Sequence, residues 1–456
     1  MAGAASGAQG TWNSRWTFIL AATGSAVGLG NMWKFPYVAG TNGGGAFVLV
    51  YVACVLAIGV PVMMAESMIG RRARQNPTTA MGTLIQQSSA STAWRHIGWM
   101  GVLAGVLILS FYGVIAGWAL DYVLMMADGE MAGATGATAL ATFNELLSNP
   151  SKLILWQTLF MALCVATVVG GVQKGLGRAI EIMMPLLFIL MLCLLVFAMI
   201  YGDFAKGFSF MFSVDFSALT RSSVLEALGQ AFFTLSIGMG AIMAYGAYMP
   251  QDASIGRTIL TVGFFDTMVA IISGLVIFPI VFATPGLTPG DGPGLMFISL
   301  PVAFGSITGG LLIGTVFFVL VTIAAWSSAI SLIEPAVAWL IESKGMSRLT
   351  ANLAVGVFAW LVGLGTVFSF NIWSDIKPAG MTFFDWLDFI TSNIMLPLTG
   401  LLIALFVGFA MKRSEVEDEM KLSSGVMKLW ILALRYWAPI AIALVMISGI
   451  YNKFSG

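Results

Sequence analysis

Two short stretches offer backbone polar groups where an apolar segment would normally hide them. In Gly24-Ser25-Ala26-Val27-Gly28-Leu29-Gly30-Asn31, three glycines fall within seven positions of an apolar run that starts near Trp16 and resumes through Met32-Trp33. Each glycine costs roughly 1 kcal/mol against alanine in a helix interior. The second stretch is Ser236-Ile237-Gly238-Met239-Gly240. Inside a bilayer, freed N–H and C=O groups are tolerated only where they are buried in protein or line a cavity. Half-helix N-termini favour anions and unwound carbonyls favour cations. Small residues also permit close helix packing, so one break alone leaves packing and binding open. Two breaks, each in the first helix of a five-helix half, point to a binding site between inverted repeats and to a transporter.

The elements that must position these stretches are membrane spans. The chain has 456 residues, 59% hydrophobic and 9% charged, against about 25% charged in soluble domains. Runs of roughly 20 apolar residues cross the hydrocarbon core. Eleven are predicted, at about 14–39, 44–70, 97–126, 153–171, 177–201, 224–248, 258–283, 305–341, 350–370, 384–411 and 427–451. The fold class is an all-α polytopic membrane protein in one transmembrane domain, with repeats at about 14–201 and 224–411 and an extra helix at 427–451. The 127–152 loop is expected to hold a short helix. The 284–304 stretch, broken by Pro285, Pro289, Pro293 and Pro301, reads as a re-entrant or surface loop.

Charge placement gives the orientation. With the N-terminus inside, fourteen Lys/Arg lie on the inner side, including Arg71, Arg95, Lys344 and Arg348, and five on the outer side. The positive-inside rule then puts the C-terminus outside. Lys+Arg and Asp+Glu balance at 21 each, which gives no sign of a nucleic-acid partner. Cys54, Cys164 and Cys193 sit in apolar runs and suggest neither disulfides nor metal spacing. The first ten residues lack a basic residue and do not read as a cleaved signal peptide. His96, the single histidine, has no nucleophile or metal partner nearby, so an enzyme is not expected and His96 reads as a surface residue.

Five motifs carry a resemblance. They are Trp12-Asn13-Ser14-Arg15; the first break through Phe35-Pro36-Tyr37; Asn42-Gly43-Gly44-Gly45-Ala46-Phe47; Gly229-Gln230-Ala231-Phe232-Phe233-Thr234-Leu235-Ser236; and Ala324-Ala325-Trp326-Ser327-Ser328. Together the chain resembles the neurotransmitter:sodium symporter family of the LeuT fold, in the eleven-span form seen among bacterial amino-acid transporters. The resemblance implies alternating access in a bacterial cytoplasmic membrane, with spans one and six discontinuous.

It also implies two sodium sites. One would use the carbonyls of Gly24, Val27 and Ala324 with the hydroxyls of Ser327 and Ser328. The other would use the Ala26 carbonyl, Asn31, Thr234 and Asp266, where many relatives carry Asn. These are hard oxygen donors suited to a small cation. Without the family, Ser327 and Ser328 would read as back-bonding helix serines. The substrate site would involve the backbone at Ala26, Gly28, Leu29 and Gly30, the Tyr112 hydroxyl and Thr234. Ser25, Ile108, Phe233, Ser236, Met239, Ser328 and Leu332 would surround the side chain. Gly28 stands where amine-carrying relatives have Asp, which implies an amino acid whose own carboxylate meets the sodium. Met239 replaces a frequent aromatic, and an adaptable methionine suggests a roomy pocket for large apolar or aromatic amino acids.

Gates are implied at both mouths. Outside, Lys34 would face Asp385, with Asp388 one turn on as the alternative and Phe233 as the lid. Inside, Trp12, Tyr248 and Glu342 match the inner gate, but Gln9 replaces its arginine and Arg15 is the nearest basic residue. Gly175 and Pro185 form a Gly-x9-Pro pattern whose helix either unwinds to release sodium or keeps a fixed kink. Chloride is not expected to be required. Tyr51, Gln230 and Thr234 are present, but the remaining anion-cradling hydroxyl is replaced by Ala270, and Asp266 supplies a negative charge. Glu66, Glu181 and Glu334 are intramembrane acids, open to proton coupling or to structural hydrogen bonding. The rival readings are a carrier of another small solute or small neutral amino acid, and a non-transporting membrane sensor. Oligomeric state is not readable.

Overall fold

The computed structural model describes residue 12, residues 14–290 and residues 294–455. Gln9 and Asn13 lie outside the described residues. Among the described residues, nine helices are long and apolar enough to cross a membrane: Gly45–Ala73, Thr92–Ala127, Pro150–Val169, Val172–Tyr201, Ile255–Ala283, Gly310–Lys344, Arg348–Ser369, Phe383–Ala410 and Ser424–Tyr451. They form spans two to five and seven to eleven. Spans one and six are each split into two half-helices, which completes the eleven.

Span one runs as an α-helix over Arg15–Ala26, started by Ser14, whose hydroxyl accepts from the Thr17 amide at 3.1 Å. Val27 then turns extended, Gly30–Lys34 forms a π-turn, and Phe35–Thr41 resumes the α-helix. Span six runs over Arg221–Thr234 and again over Ala241–Ala247. Between them Gly238 (φ +81°) and Gly240 (φ +73°) take left-handed conformations that cost glycine nothing sterically. Ser236 does the same at φ +53°, a strained conformation for a residue with a Cβ.

Burial separates centre from periphery. The apolar windows of spans three and eight are 83% buried, whereas those of spans four and eleven are 33% buried and present the rest outward to lipid. Span three reaches the centre through small residues. A Cβ on Gly105 would lie 3.0 Å from the Met239 carbonyl, and one on Gly101 3.1 Å from the Gly240 amide. Backbone therefore packs on backbone directly behind the second break.

Two loop expectations meet different outcomes. Gly136–Ser148 is the expected short helix. The 284–304 stretch divides: 285–290 is loop, with Pro285, Gly286, Thr288 and Gly290 exposed, whereas Leu295–Ser306 is helical, and Leu295, Met296, Phe297 and Leu300 are buried. Phe297 stacks on Phe143 and takes Trp118 edge-on, so aromatic packing recruits a segment that its prolines alone would leave outside.

Candidate functional site

In a bilayer each unpaired backbone group costs several kcal/mol, and the two breaks are answered largely by one another and by spans two, three, seven and eight. The Ser25 carbonyl accepts from the hydroxyls of Ser236 at 2.8 Å and Ser328 at 3.1 Å. The Leu29 amide donates to the Tyr112 hydroxyl at 3.2 Å, and the Gly28 amide to Asn31 Oδ1 at 3.1 Å. Gln230 donates to the Gly30 carbonyl at 2.7 Å. From span two, the buried Glu66 carboxylate accepts from the Gly238 amide at 3.2 Å.

A cavity of about 20 Å³ lies between the breaks, lined by Ala26, Gly28, Leu29, Gly30, Ile108, Tyr112, Phe233, Ser236, Met239, Ser328 and Leu332. Two expected residues are absent from its wall. The Ser25 hydroxyl donates instead to Ser331 at 2.8 Å, and Thr234 donates to Asp266 at 2.9 Å. Nor is the cavity roomy: its volume suffices for about one water. Phe233 closes it, with ring carbons 3.1–3.3 Å from where a Cβ on Gly30 would sit.

The oxygen donors fall into two groups. Around Asp266, which is fully buried, Asn31 donates to Oδ1 at 2.8 Å and to the main-chain carbonyl at 3.1 Å. Thr234 shares Oδ1, and Tyr51 donates to Oδ2 at 3.4 Å. Ala270 is buried one helical turn on and brings no hydroxyl. The second group sits where span one meets span eight. A Cβ on Gly24 would lie 3.4 Å from Ser327 Cβ, and the Ser327 hydroxyl donates to the Ala324 carbonyl at 3.0 Å. Ser328 points to Ser25, one residue from Gly24. Both groups offer oxygen alone, and no cluster of three His, Cys, Asp or Glu occurs among the described residues.

Beyond Phe233 a second cavity of 490 Å³ opens between spans one, six, ten and eleven, and Phe233 lines both. Lys34, Asp385 and Asp388 all face it, yet no ion pair joins them in this structure. Lys34 instead holds its ammonium 4.4 Å from the Phe233 ring centre. Asp385 accepts from the Thr382 amide at 3.0 Å in a capping box, and Asp388 from the Ser392 hydroxyl at 2.8 Å.

The opposite mouth is shut. The Trp12 amide donates to the Tyr248 carbonyl at 3.0 Å, its indole N–H to the Tyr245 carbonyl at 3.3 Å, and both tyrosine rings meet it edge-on. The acid that the Tyr248 hydroxyl reaches is Glu334, at 2.9 Å, and Arg348 holds the other Glu334 oxygen at 2.6 Å. Glu342 accepts from the Asn76 amide at 2.9 Å. Arg15 donates to Thr258 and takes no part in the latch. In span five, Gly175 lies in a π-turn over Val172–Gly177, and the α-helix Arg178–Tyr201 contains Pro185 without unwinding. Glu181 accepts from Thr17 at 2.8 Å and ties that helix to span one. His96 is exposed, as expected.

Comparisons with known proteins agree with this geometry. The sodium:neurotransmitter symporter family profile matches residues 9–145 and 137–455. A sodium-dependent transporter of Bacillus subtilis, YhdH, is 38% identical over 96% of this chain and 97% of its own. One from Haemophilus influenzae is 32% identical over 97% and 98%. The crystal structure of MhsT in complex with L-phenylalanine superposes with a TM-score of 0.88 at 44% identity, covering 97% of this chain and 100% of that one. The chain belongs to the sodium:neurotransmitter symporter family and is an integral membrane, sodium-dependent transporter of the LeuT fold.

Proposed function

We propose that the protein is a symporter that uses two sodium sites to import amino acids, with large apolar or aromatic ones preferred. The observation that carries this reading is the Gly28-Leu29-Gly30 backbone, which faces the small cavity with the Tyr112 hydroxyl 3.2 Å from the Leu29 amide. Amides at a half-helix start and a tyrosine hydroxyl are a carboxylate site. A side chain at position 28 has no room: a Cβ there would lie 2.7 Å from the Tyr112 oxygen and 3.0 Å from Ser328. An acid from the protein is thereby kept out, and the substrate supplies the negative charge beside the cation.

Sodium would bind at Ala26, Asn31, Thr234 and Asp266, and at Gly24, Val27, Ala324, Ser327 and Ser328. The buried Asp266 carboxylate would itself supply the negative charge beside the first cation, so no chloride is needed to balance it. With the Trp12–Tyr248–Glu334 latch shut and the 490 Å³ vestibule on the other side of Phe233, substrate enters past Lys34. The gate then closes by moving Lys34 from the ring to Asp385. Release follows when the latch parts and the Gly175–Pro185 segment loosens. The basic face is cytoplasmic and the membrane is the bacterial inner membrane. The repeats span about 14–201 and 224–411, with 427–451 outside them.

A second reading, a small neutral amino acid as substrate, is favoured by the cavity of about 20 Å³. The test is uptake of a labelled amino-acid panel into proteoliposomes with and without an inward sodium gradient. Sodium-driven accumulation of phenylalanine, tryptophan or leucine supports the main reading. Accumulation of glycine or alanine alone supports the second, and saturable binding without accumulation makes the protein a sensor.

A further inference from the structure

Away from both mouths, a third cavity of 520 Å³ opens through the lipid-facing wall between spans three, eight and nine, on the side that carries the basic residues. Its volume falls in the usual range of about 300–1,000 Å³ for an organic ligand. The floor is built from small side chains, among them Val102, Val106 and Ala336. The walls are aromatic: Trp99 meets Trp339 edge-on with centroids 4.8 Å apart, and Phe358 stands half-exposed opposite. Of its lining residues, His96 is the single ionisable one.

The charge lies at one end. Lys344 holds its ammonium 5.9 Å from the Trp339 ring centre, and exposed Arg95 precedes His96 at the start of span three. Arg348, close by in sequence, is already held by Glu334. Tryptophans mark the headgroup level of a bilayer, and the amides that open a helix add positive potential there. An apolar trough that runs into the hydrocarbon from a cationic rim at headgroup level matches one molecule. We infer that this groove binds an anionic phospholipid, with an acyl chain along Trp99, Val106 and Phe358 and the phosphate between Arg95, His96 and Lys344.

The position gives such a lipid a consequence. Ala336 lies one helical turn from Leu332, and Val106 lies two residues before Ile108, so the groove is walled by the same two helices that form the central cavity. A seated chain braces span three against span eight without touching substrate.

The experiment compares the purified protein in detergent with added phosphatidylglycerol or phosphatidylcholine, by native mass spectrometry and by thermal unfolding. Two variants accompany the wild type: Arg95→Gln with Lys344→Gln, which removes the rim charge, and Ala354→Trp, which fills the groove from an exposed position. Phosphatidylglycerol is expected to stay bound and raise the melting temperature, and phosphatidylcholine to do neither. Loss of both cations should weaken phosphatidylglycerol roughly 25-fold, taking about fivefold per cation. The tryptophan variant should abolish retention, with both variants melting like wild type when no lipid is added. Equal retention of the two lipids, retention unaltered in either variant, or a dimer that disappears with Ala354→Trp would overturn the inference. If a variant melts early without lipid, retention by wild type in the presence of excess phosphatidylcholine decides the matter alone.

Discussion

Asn31 and Asp266 hold each other through two contacts, the amide of one reaching both the carboxylate, at 2.8 Å, and the main-chain carbonyl, at 3.1 Å, of the other. Asn31 thereby turns its own oxygen to the Gly28 amide, at the break itself. The carboxylate is thus joined to the backbone that faces substrate through a single side chain. A buried negative charge without a cation is costly, and so is a buried cation without its anion. Asp266→Asn keeps the shape and removes the charge. Uptake by the wild type should be equal in chloride and in gluconate. The variant should need at least tenfold more sodium and should regain part of its uptake only in chloride. Uptake by the wild type that stops in gluconate would reverse this assignment.

The inner latch supplies the second prediction. Tyr248→Phe removes the hydroxyl that donates to Glu334 while leaving the Trp12 amide bond to the Tyr248 carbonyl in place. A hydrogen bond to a charged group is worth about 1.5–3 kcal/mol. The closed state should therefore lose roughly 10- to 150-fold in population relative to the inward-open one. Hydrogen–deuterium exchange over Arg15–Gly24 should accelerate, and Glu342→Gln, which leaves the Tyr248–Glu334 bond untouched, should not reproduce it. Exchange that is unchanged in Tyr248→Phe would place the latch elsewhere.

What could be read from the sequence follows a physical division. Gly24, Gly28, Gly30, Gly238 and Gly240 announce the two breaks because no other residue type explains their density in an apolar run. The cavity wall then follows by family resemblance at most of its positions. The part of Glu334 at the inner mouth, where it accepts from Tyr248, is not legible in the sequence for a geometric reason. Glu334 and Arg348 are fourteen residues apart and straddle a helix end at Gly345, so no helical spacing couples them. Glu342, nearer the helix end, accepts from Asn76. The turned-away hydroxyl of Ser25 was likewise unreadable, since its partner Ser331 lies 306 residues on and one residue type serves either direction. Pocket size depends on the Phe233 rotamer and on gate state, and neither is written in residue types.

The outer gate tests a movement. Lys34 rests over Phe233 at 4.4 Å, a contact between two half-buried side chains worth about 0.5–2 kcal/mol, which is small enough to exchange for an ion pair. Lys34→Asp should abolish uptake, and adding Asp385→Lys should restore a substantial fraction, while adding Asp388→Lys should not. Rescue by Asp388→Lys instead would transfer the gate to the residue one turn on. The Asp385 exchange also removes the carboxylate that accepts from the Thr382 amide in the capping box, so the rescue is expected to be incomplete.

Position 28 separates space from charge. Gly28→Ala places a methyl 2.7 Å from the Tyr112 oxygen and 3.0 Å from the Ser328 Cβ, the latter about 0.5–1 Å inside ordinary contact. The change should lower uptake at least tenfold for every amino acid in the panel. Tyr112→Phe relieves the tighter of the two contacts, leaving the one with Ser328, but takes away the hydroxyl that sits on the Leu29 amide. If that hydroxyl helps hold a substrate carboxylate, Tyr112→Phe alone should raise the half-saturating substrate concentration by roughly 10- to 150-fold, the worth of one charge-assisted hydrogen bond. Adding Gly28→Ala to it should then cost little more, because both changes strike the same contact and neighbouring effects do not add. Full additivity would mean that Gly28 and Tyr112 meet different parts of the substrate, and the carboxylate would have to be placed elsewhere along the break.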